Sequence, residues 1–278
     1  MTLDPALHDE ILVCLQRSGY LLESRLIRTL SSEHFFVEHN IAALDPRTGK
    51  TREIDLAVEF FDSESARHGI SVKTRFAIEA VSNDLPLVLM TPHPDPRTED
   101  FESYLKYGTT PDPCPLLDEA DLYEVKPAFD MPHYSQFCCL SRKRKDDALM
   151  ASHSEDLYSS LQKLAEHIDQ EVTQFAALTW PPEDRFWRLW FWEGVLVLGG
   201  DLLVASEQEN GTISLTEVDQ GALIFNFHAS DQPRCALIQV VREPRLLSYL
   251  NASVSIDNEI ALRLRALRAS GTSDSPKA

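Results

Sequence analysis

Two stretches place carboxylates inside apolar runs with the character of β-strands: Arg52-Glu53-Ile54-Asp55-Leu56-Ala57-Val58 and Phe76-Ala77-Ile78-Glu79-Ala80-Val81. Aliphatic and aromatic residues dominate both runs, as is typical of half-buried strands. Burying an unpaired charge costs several kcal/mol, so Asp55 and Glu79 each need a compensating partner. A divalent metal ion is one such partner.

The periodicity of a strand predicts how these acids are presented. Side chains alternate between the two faces, so Glu53 and Asp55 share a face of one strand, while Glu79 and Val81 share a face of the other. If the strands are neighbours, Asp55 and Glu79 converge on one point. Two carboxylates and a peptide carbonyl such as that of Ala80 offer the oxygen ligands that Mg²⁺ or Mn²⁺ prefers. An ordinary ion pair on an edge strand is the alternative interpretation for Glu53 and Asp55.

The sequence around the two runs predicts an α/β fold. Apolar residues at three- and four-residue spacing predict helix through the first thirty residues, interrupted at Gly19. Ser154 precedes a long amphipathic helix that we expect to pack as a layer on the sheet. The remaining predicted elements are strands at 35–43, 51–60, 70–81, 85–90, 134–140, 190–198, 201–206, 213–218, 222–228 and 235–241, a turn at 45–50 and a helix at 256–267.

Changes in composition divide the chain into five segments: a core at 1–92, an irregular acidic and Pro-rich insertion at 93–133, a strand and helix completing the core at 134–180, a strand-rich part with a closing helix at 181–269, and a tail at 270–278. The tail has too little apolar surface to offset its ordering entropy, so we expect it to be disordered. The strand-rich part is able to join the main sheet or to form a dimer surface, and the sequence does not choose between these.

The order of three motifs, Gly19–Glu23, Asp45–Asp55 and Ala77–Ser82, resembles the PD-(D/E)XK nuclease superfamily. The resemblance covers the first segment well and the remainder loosely. It implies a restriction-endonuclease-like fold, a mixed sheet flanked by helices.

The same resemblance implies a catalytic site and a cofactor. Asp55 and Glu79 would bind Mg²⁺ or Mn²⁺ together with the carbonyl of Ala80, and Glu23 would supply the helix acid. Such a site would catalyse metal-dependent hydrolysis of a phosphodiester.

Val81 occupies the position at which the superfamily carries a lysine. A valine side chain neither orients the attacking water nor offsets the negative charge that develops on the phosphate. Lys73 and Arg75 on the same strand, and the basic run 142–145, are candidate replacements that need another geometry. Two functions therefore follow: a metal-dependent nuclease, and a catalytically inactive nuclease-like module that serves as a protein-interaction or regulatory subunit.

The composition limits the partners of the chain. It has 26 Lys and Arg against 44 Asp and Glu, a net charge of −18, whereas proteins that grip phosphate backbones carry a basic surface. This opposes nucleic-acid binding by the whole surface and leaves a local basic strip, a protein partner or a second copy of the chain. The nine histidines lack zinc-site spacing, and no apolar run is long enough to cross a membrane. We expect a soluble, cytoplasmic protein without a membrane partner.

Overall fold

The computed structural model describes residues 4–44, 49–60, 63–83, 85–92, 104–110, 131–143, 145–181, 186–229 and 232–271. Within them the protein is α/β, with a large mixed sheet and helices against both of its faces. Most of the predicted turn at 45–50, most of the insertion and residues 272–278 lie outside the described residues.

The helices are α1 (Pro5–Arg17), α2 (Tyr20–Ser32), α3 (Ser63–Arg67), α4 (Glu155–Ala177) and α5 (Glu243–Gly271). The strands are β1 (Phe36–Leu44), β2 (Thr51–Glu59), β3 (Ile70–Val81), β4 (Leu87–Pro92), β5 (Lys106–Thr110), β6 (His133–Arg142), β7 (Leu149–Ser152), β8 (Trp187–Leu198), β9 (Leu202–Glu207), β10 (Ile213–Glu217), β11 (Gln220–Ala229) and β12 (Gln232–Arg242).

The strand order in the sheet is β1-β2-β3-β8-β12-β11-β6-β4-β9-β10, with β5 paired to β8 and β7 paired to β6. Strands β1, β2 and β3 form an antiparallel meander, whereas β8 is parallel to both β3 and β12. The strand-rich C-terminal part therefore joins the main sheet and supplies its centre. This resolves the choice that the sequence left open.

Two helical layers bury the faces of the sheet. On one face, α4 packs Leu161 and Leu164 into a cluster with Leu196 and Ile238. On the other face, α2 and α5 cover a separate cluster that includes Leu26, Phe76, Val195 and Leu250. Each fully buried aliphatic or aromatic side chain contributes roughly 1.5–3 kcal/mol by leaving water, so both layers are firmly attached.

Several local predictions are confirmed. Strand β3 runs from Ile70 to Val81 as the pattern predicts. Gly19 separates α1 from α2 in a left-handed conformation with φ of +82°, which glycine adopts without steric cost. Ser154 caps α4, because its hydroxyl accepts a hydrogen bond from the Leu157 N–H at 3.4 Å.

Other elements differ from the prediction. Helix α5 begins at Glu243, well before residue 256, because Leu246, Tyr249 and Leu250 are buried at helical spacing against the sheet. It also continues to Gly271, so the first residues of the expected disordered tail are helical. Strand β5 lies within the segment expected to be irregular. None of the described helices combines the length and apolarity needed to cross a membrane.

Candidate active site

Asp55 lies where the pairing between β2 and β3 ends. The paired residues of the two strands run from Glu59 opposite Arg75 to Leu56 opposite Ile78. Asp55 is the residue before Leu56, and its Oδ2 atom accepts a hydrogen bond of 2.8 Å from the N–H of Ala80, two residues after Ile78. A side-chain carboxylate thus takes a backbone donor of the neighbouring strand, which fixes the orientation of that carboxylate.

Glu79 is buried next to this point, with 2% of its surface exposed. Its Oε2 atom lies 2.6 Å from the ammonium of Lys163, which also donates a hydrogen bond of 3.0 Å to the carbonyl of Glu53. The other oxygen, Oε1, is buried and forms no well-aligned hydrogen bond with any described residue. Burial of a carboxylate oxygen that lacks a well-aligned donor is energetically costly, and a cation bound at this atom would offset that cost.

Helix α4 brings Lys163 to the acids. Ser160 and Lys163 are three residues apart and therefore share one face of the helix, and both side chains act on the Glu79 carboxylate. The apolar residues that flank them, Leu161 and Leu164, anchor α4 on the sheet. Packing of this helix thus places a cation against acids on two different strands.

Glu23 reaches the same region from the first turn of α2. Gly19 has no side chain. A Cβ atom at this residue would lie 3.5 Å from the Ala80 carbonyl oxygen and 3.9 Å from Glu23 Oε1. The Ala80 carbonyl and the Glu23 carboxylate therefore border the same small space. Burial, and next the charge of Asp55, raise the pKa of Glu23.

The electrostatics of this acid cluster, defined as Glu23, Asp55, Glu79 and Lys163, favour an additional cation. Burial, and next the charge of Asp55, raise the pKa of Glu79 to about 7, although Lys163 opposes the rise. Burial also raises the pKa of Asp55, against the opposing effect of the Ala80 N–H. One ammonium thus faces three carboxyl groups, and a divalent ion would compensate the excess negative charge.

The other candidate replacements for the missing lysine have different partners. Lys73 binds Glu59 at 2.8 Å and lies over the Trp190 ring at 4.1 Å. Arg75 binds Glu38 at 2.7 Å and approaches Glu171. The basic run contributes Arg142, which lines a cavity beside Ala80 and makes no described contact with the acids.

A Mg²⁺ or Mn²⁺ ion at this site would have few protein ligands and would complete its coordination with water. Among the described residues, no group of three or more His, Cys, Asp or Glu side chains is arranged to hold a metal ion. Mg²⁺, however, commonly keeps several waters and uses one or two carboxylates. Asp55, the Oε1 atom of Glu79 and the Ala80 carbonyl would supply such a partial shell.

The sequence interpretation missed Lys163. A strand motif gives no indication of a residue on a distant helix, and α4 carries polar residues on several faces. The available signal was that Lys163 follows Leu161 and precedes Leu164, which places it beside the apolar stripe of a helix expected to cover the sheet.

The chain was compared with known protein families, curated proteins and solved structures. No family model, curated protein or solved structure matches the chain.

Proposed function

We propose that the protein is a divalent-metal-dependent phosphodiesterase of the restriction-endonuclease-like type, acting on nucleic acid. The observation that carries the proposal is the 2.6 Å contact between Lys163 and Glu79 beside the oriented carboxylate of Asp55. This contact supplies the acid, acid and lysine set that the strand motif alone lacks at Val81.

Each residue has a distinct role in the proposed reaction. Asp55 and Glu79 would hold the metal together with the Ala80 carbonyl, and Glu23 borders the site from α2. A bound Mg²⁺ or Mn²⁺ would polarise the phosphodiester and lower the pKa of a coordinated water. The ammonium of Lys163 orients the attacking water and stabilises negative charge on the phosphate, because it is a fixed donor in a region largely shielded from solvent.

The burial of Glu79 suits this role. Its carboxyl group, with a pKa of about 7, is costly to ionise in the absence of a cation. A bound metal ion would offset that cost. Without metal, the Glu79 carboxyl group is either protonated or stabilised by Lys163 alone, whereas with metal it would be ionised.

A cleavage assay tests the proposal. The chain is incubated with plasmid, single-stranded DNA and RNA in Mg²⁺ or Mn²⁺, beside Asp55→Asn and Glu79→Gln. Glu209→Gln, in an exposed turn, is the matched control. We expect the two site variants to lose activity and the control to keep it. Cleavage that survives both site substitutions would reject the proposal.

The alternative is an inactive nuclease-like module that binds a protein partner. The net charge of −18 favours it, since so acidic a chain repels extended nucleic acid. This alternative predicts neither cleavage nor a response of thermal stability to Mn²⁺.

A further inference from the structure

A cavity of about 860 Å³ adjoins the acid cluster. It shares Ala80, whose N–H binds Asp55, and Ser160, whose hydroxyl acts on Glu79. Its volume lies in the range of about 300–1,000 Å³ that is typical of sites enclosing a small organic ligand. Glu23, Asp55, Glu79 and Lys163 do not line the cavity themselves, so the cavity meets the acid cluster only through Ala80 and Ser160.

The cavity has walls of two kinds. Val81, Leu140 and Leu157 give it an apolar side. Ser141 and Arg142 face it from β6 and provide polar donors, and Asp156 in the first turn of α4 adds one carboxylate to the lining. An apolar wall suits the flat face of a nucleobase, and hydroxyl and guanidinium groups suit a sugar and a phosphate.

The charges around the cavity limit the length of nucleic acid that it can bind. Arg142 is the only cation among the described residues of its lining, and its Nη1 is shared with Asp147 at 3.3 Å. Lys143 and Lys145 follow Arg142 in the chain and are exposed, but they do not line the cavity. A duplex requires several unpaired cations along its backbone, whereas one or two phosphates require few.

Resting on the proposed function, we infer that the substrate is a short single-stranded oligonucleotide rather than a duplex. One nucleotide occupies the cavity, with its base against Val81, Leu140 and Leu157 and its phosphate near Arg142. The adjoining phosphodiester then lies at the acid cluster, where water attacks phosphorus and the departing oxygen leaves as an alcohol after protonation by solvent.

Substrate length is the first test. Fluorescein-labelled oligodeoxythymidylates and oligouridylates of about 3–20 nucleotides are compared with a duplex of about 30 base pairs in Mn²⁺. We expect kcat/KM to level off by about four nucleotides and to exceed that of the duplex at least tenfold. The two oligonucleotide series separate DNA from RNA. A preference for the duplex would overturn the inference and leave the proposed function standing.

Salt dependence is the second test. With one or two phosphate contacts to a single strand, log kcat/KM plotted against log salt concentration should have a slope of about −0.7 to −1.4. A slope steeper than about −4 would indicate contacts along an extended backbone and would also overturn the inference.

Filling the cavity is the third test. Leu140→Trp should raise KM for a labelled tetranucleotide about tenfold with little change in kcat, because it removes space without touching the acids. Arg142→Gln should act in the same direction. Leu149→Trp, on β7 and already 54% exposed, is the matched control and should leave KM unchanged. Equal effects of Leu140→Trp and Leu149→Trp would contradict the assignment.

Binding separates this inference from the proposed function. Anisotropy of the labelled tetranucleotide is measured with Asp55→Asn, which retains the cavity. If no substrate is cleaved but binding depends on Leu140 and not on Leu149, the proposed function fails and the binding site stands. If the tetranucleotide does not bind, the inference fails.

Discussion

The ammonium of Lys163 lies 2.6 Å from the carboxylate of Glu79, although the first residue belongs to a helix and the second to a central strand. The carboxylate is almost fully buried, and the lysine side chain is 19% exposed. Breaking one partner of so enclosed a pair leaves an uncompensated charge, which makes the contact suitable for testing by substitution.

Lys163→Met should lower cleavage by about 10²–10³-fold, because it removes a fixed positive donor from the proposed transition state. Lys73→Met is a closely matched control, since Lys73 is similarly buried and binds Glu59 at 2.8 Å outside the acid cluster. Initial rates at saturating Mn²⁺ measure both. Equal losses in the two variants would show that the effect is structural.

A lysine restored to the strand should partly replace the helical one. In the Lys163→Met background, Val81→Lys places an ammonium two residues after Glu79, on the same face of β3. We expect it to recover about tenfold of the lost rate. The doubly substituted chain must remain folded, as judged by circular dichroism. A folded double variant no more active than Lys163→Met would contradict the assigned role of Lys163.

The raised pKa of Glu79 predicts how stability depends on pH. The folded protein retains this proton to higher pH than the unfolded chain, so the associated stability is complete below a pH of about 4.5 and is lost as pH rises through about 7. Relative to Glu79→Gln, the parent chain should lose up to ~3 kcal/mol of unfolding free energy between about pH 5 and pH 8 without metal. Urea unfolding of both proteins at both pH values measures this difference. An equal change in unfolding free energy with pH in the parent chain and in Glu79→Gln would contradict the prediction.

Metal binding should stabilise the parent chain. At a Mn²⁺ concentration about 100 times the dissociation constant, the gain is about 2.7 kcal/mol, or a rise of about 5 °C in Tm. At one fixed Mn²⁺ concentration, the gain in stability should be larger at pH 8 than at pH 6, because protons compete with the metal for Glu79. Calorimetric titration of Asp55→Asn should show weakened binding. An unchanged affinity in that variant would exclude Asp55 as a ligand.

Gly19→Ala should impair the site beyond its cost in stability. Its φ of +82° makes an alanine strained by about 1–2 kcal/mol, although the added methyl group would be 3.5 Å from the Ala80 carbonyl, an ordinary contact. Gly211→Ala, with φ of +77° and open space around it, should cost the same stability. Only the change at Gly19 should weaken Mn²⁺ affinity, because α2 carries Glu23. Equal metal affinity in the two variants would count against a role for Glu23.

Local chemistry made some parts of the fold predictable from the sequence. The strand pattern of β3 and the glycine between α1 and α2 each act within a few residues. The convergence of Asp55 and Glu79 followed from the alternation of side chains on strands assumed to be neighbours.

Contacts between residues that are distant in sequence could not be predicted in this way. The pairing of β3 with β8, the early start of α5 and the approach of Lys163 all depend on packing between separate layers. Helix propensity near residues 251–255 is weak, yet burial of Tyr249 and Leu250 keeps that stretch helical. No local pattern reports which residue of one layer will face another.

The placement of β8 between β3 and β12 has a consequence for the timing of folding during synthesis. The strand carrying Glu79 is bordered by a partner that leaves the ribosome more than a hundred residues later (187 − 81 = 106). A nascent chain that has emerged only as far as β4 therefore has an open sheet edge and lacks α4 altogether. The acid cluster is therefore assembled late, when the last third of the polypeptide closes the sheet.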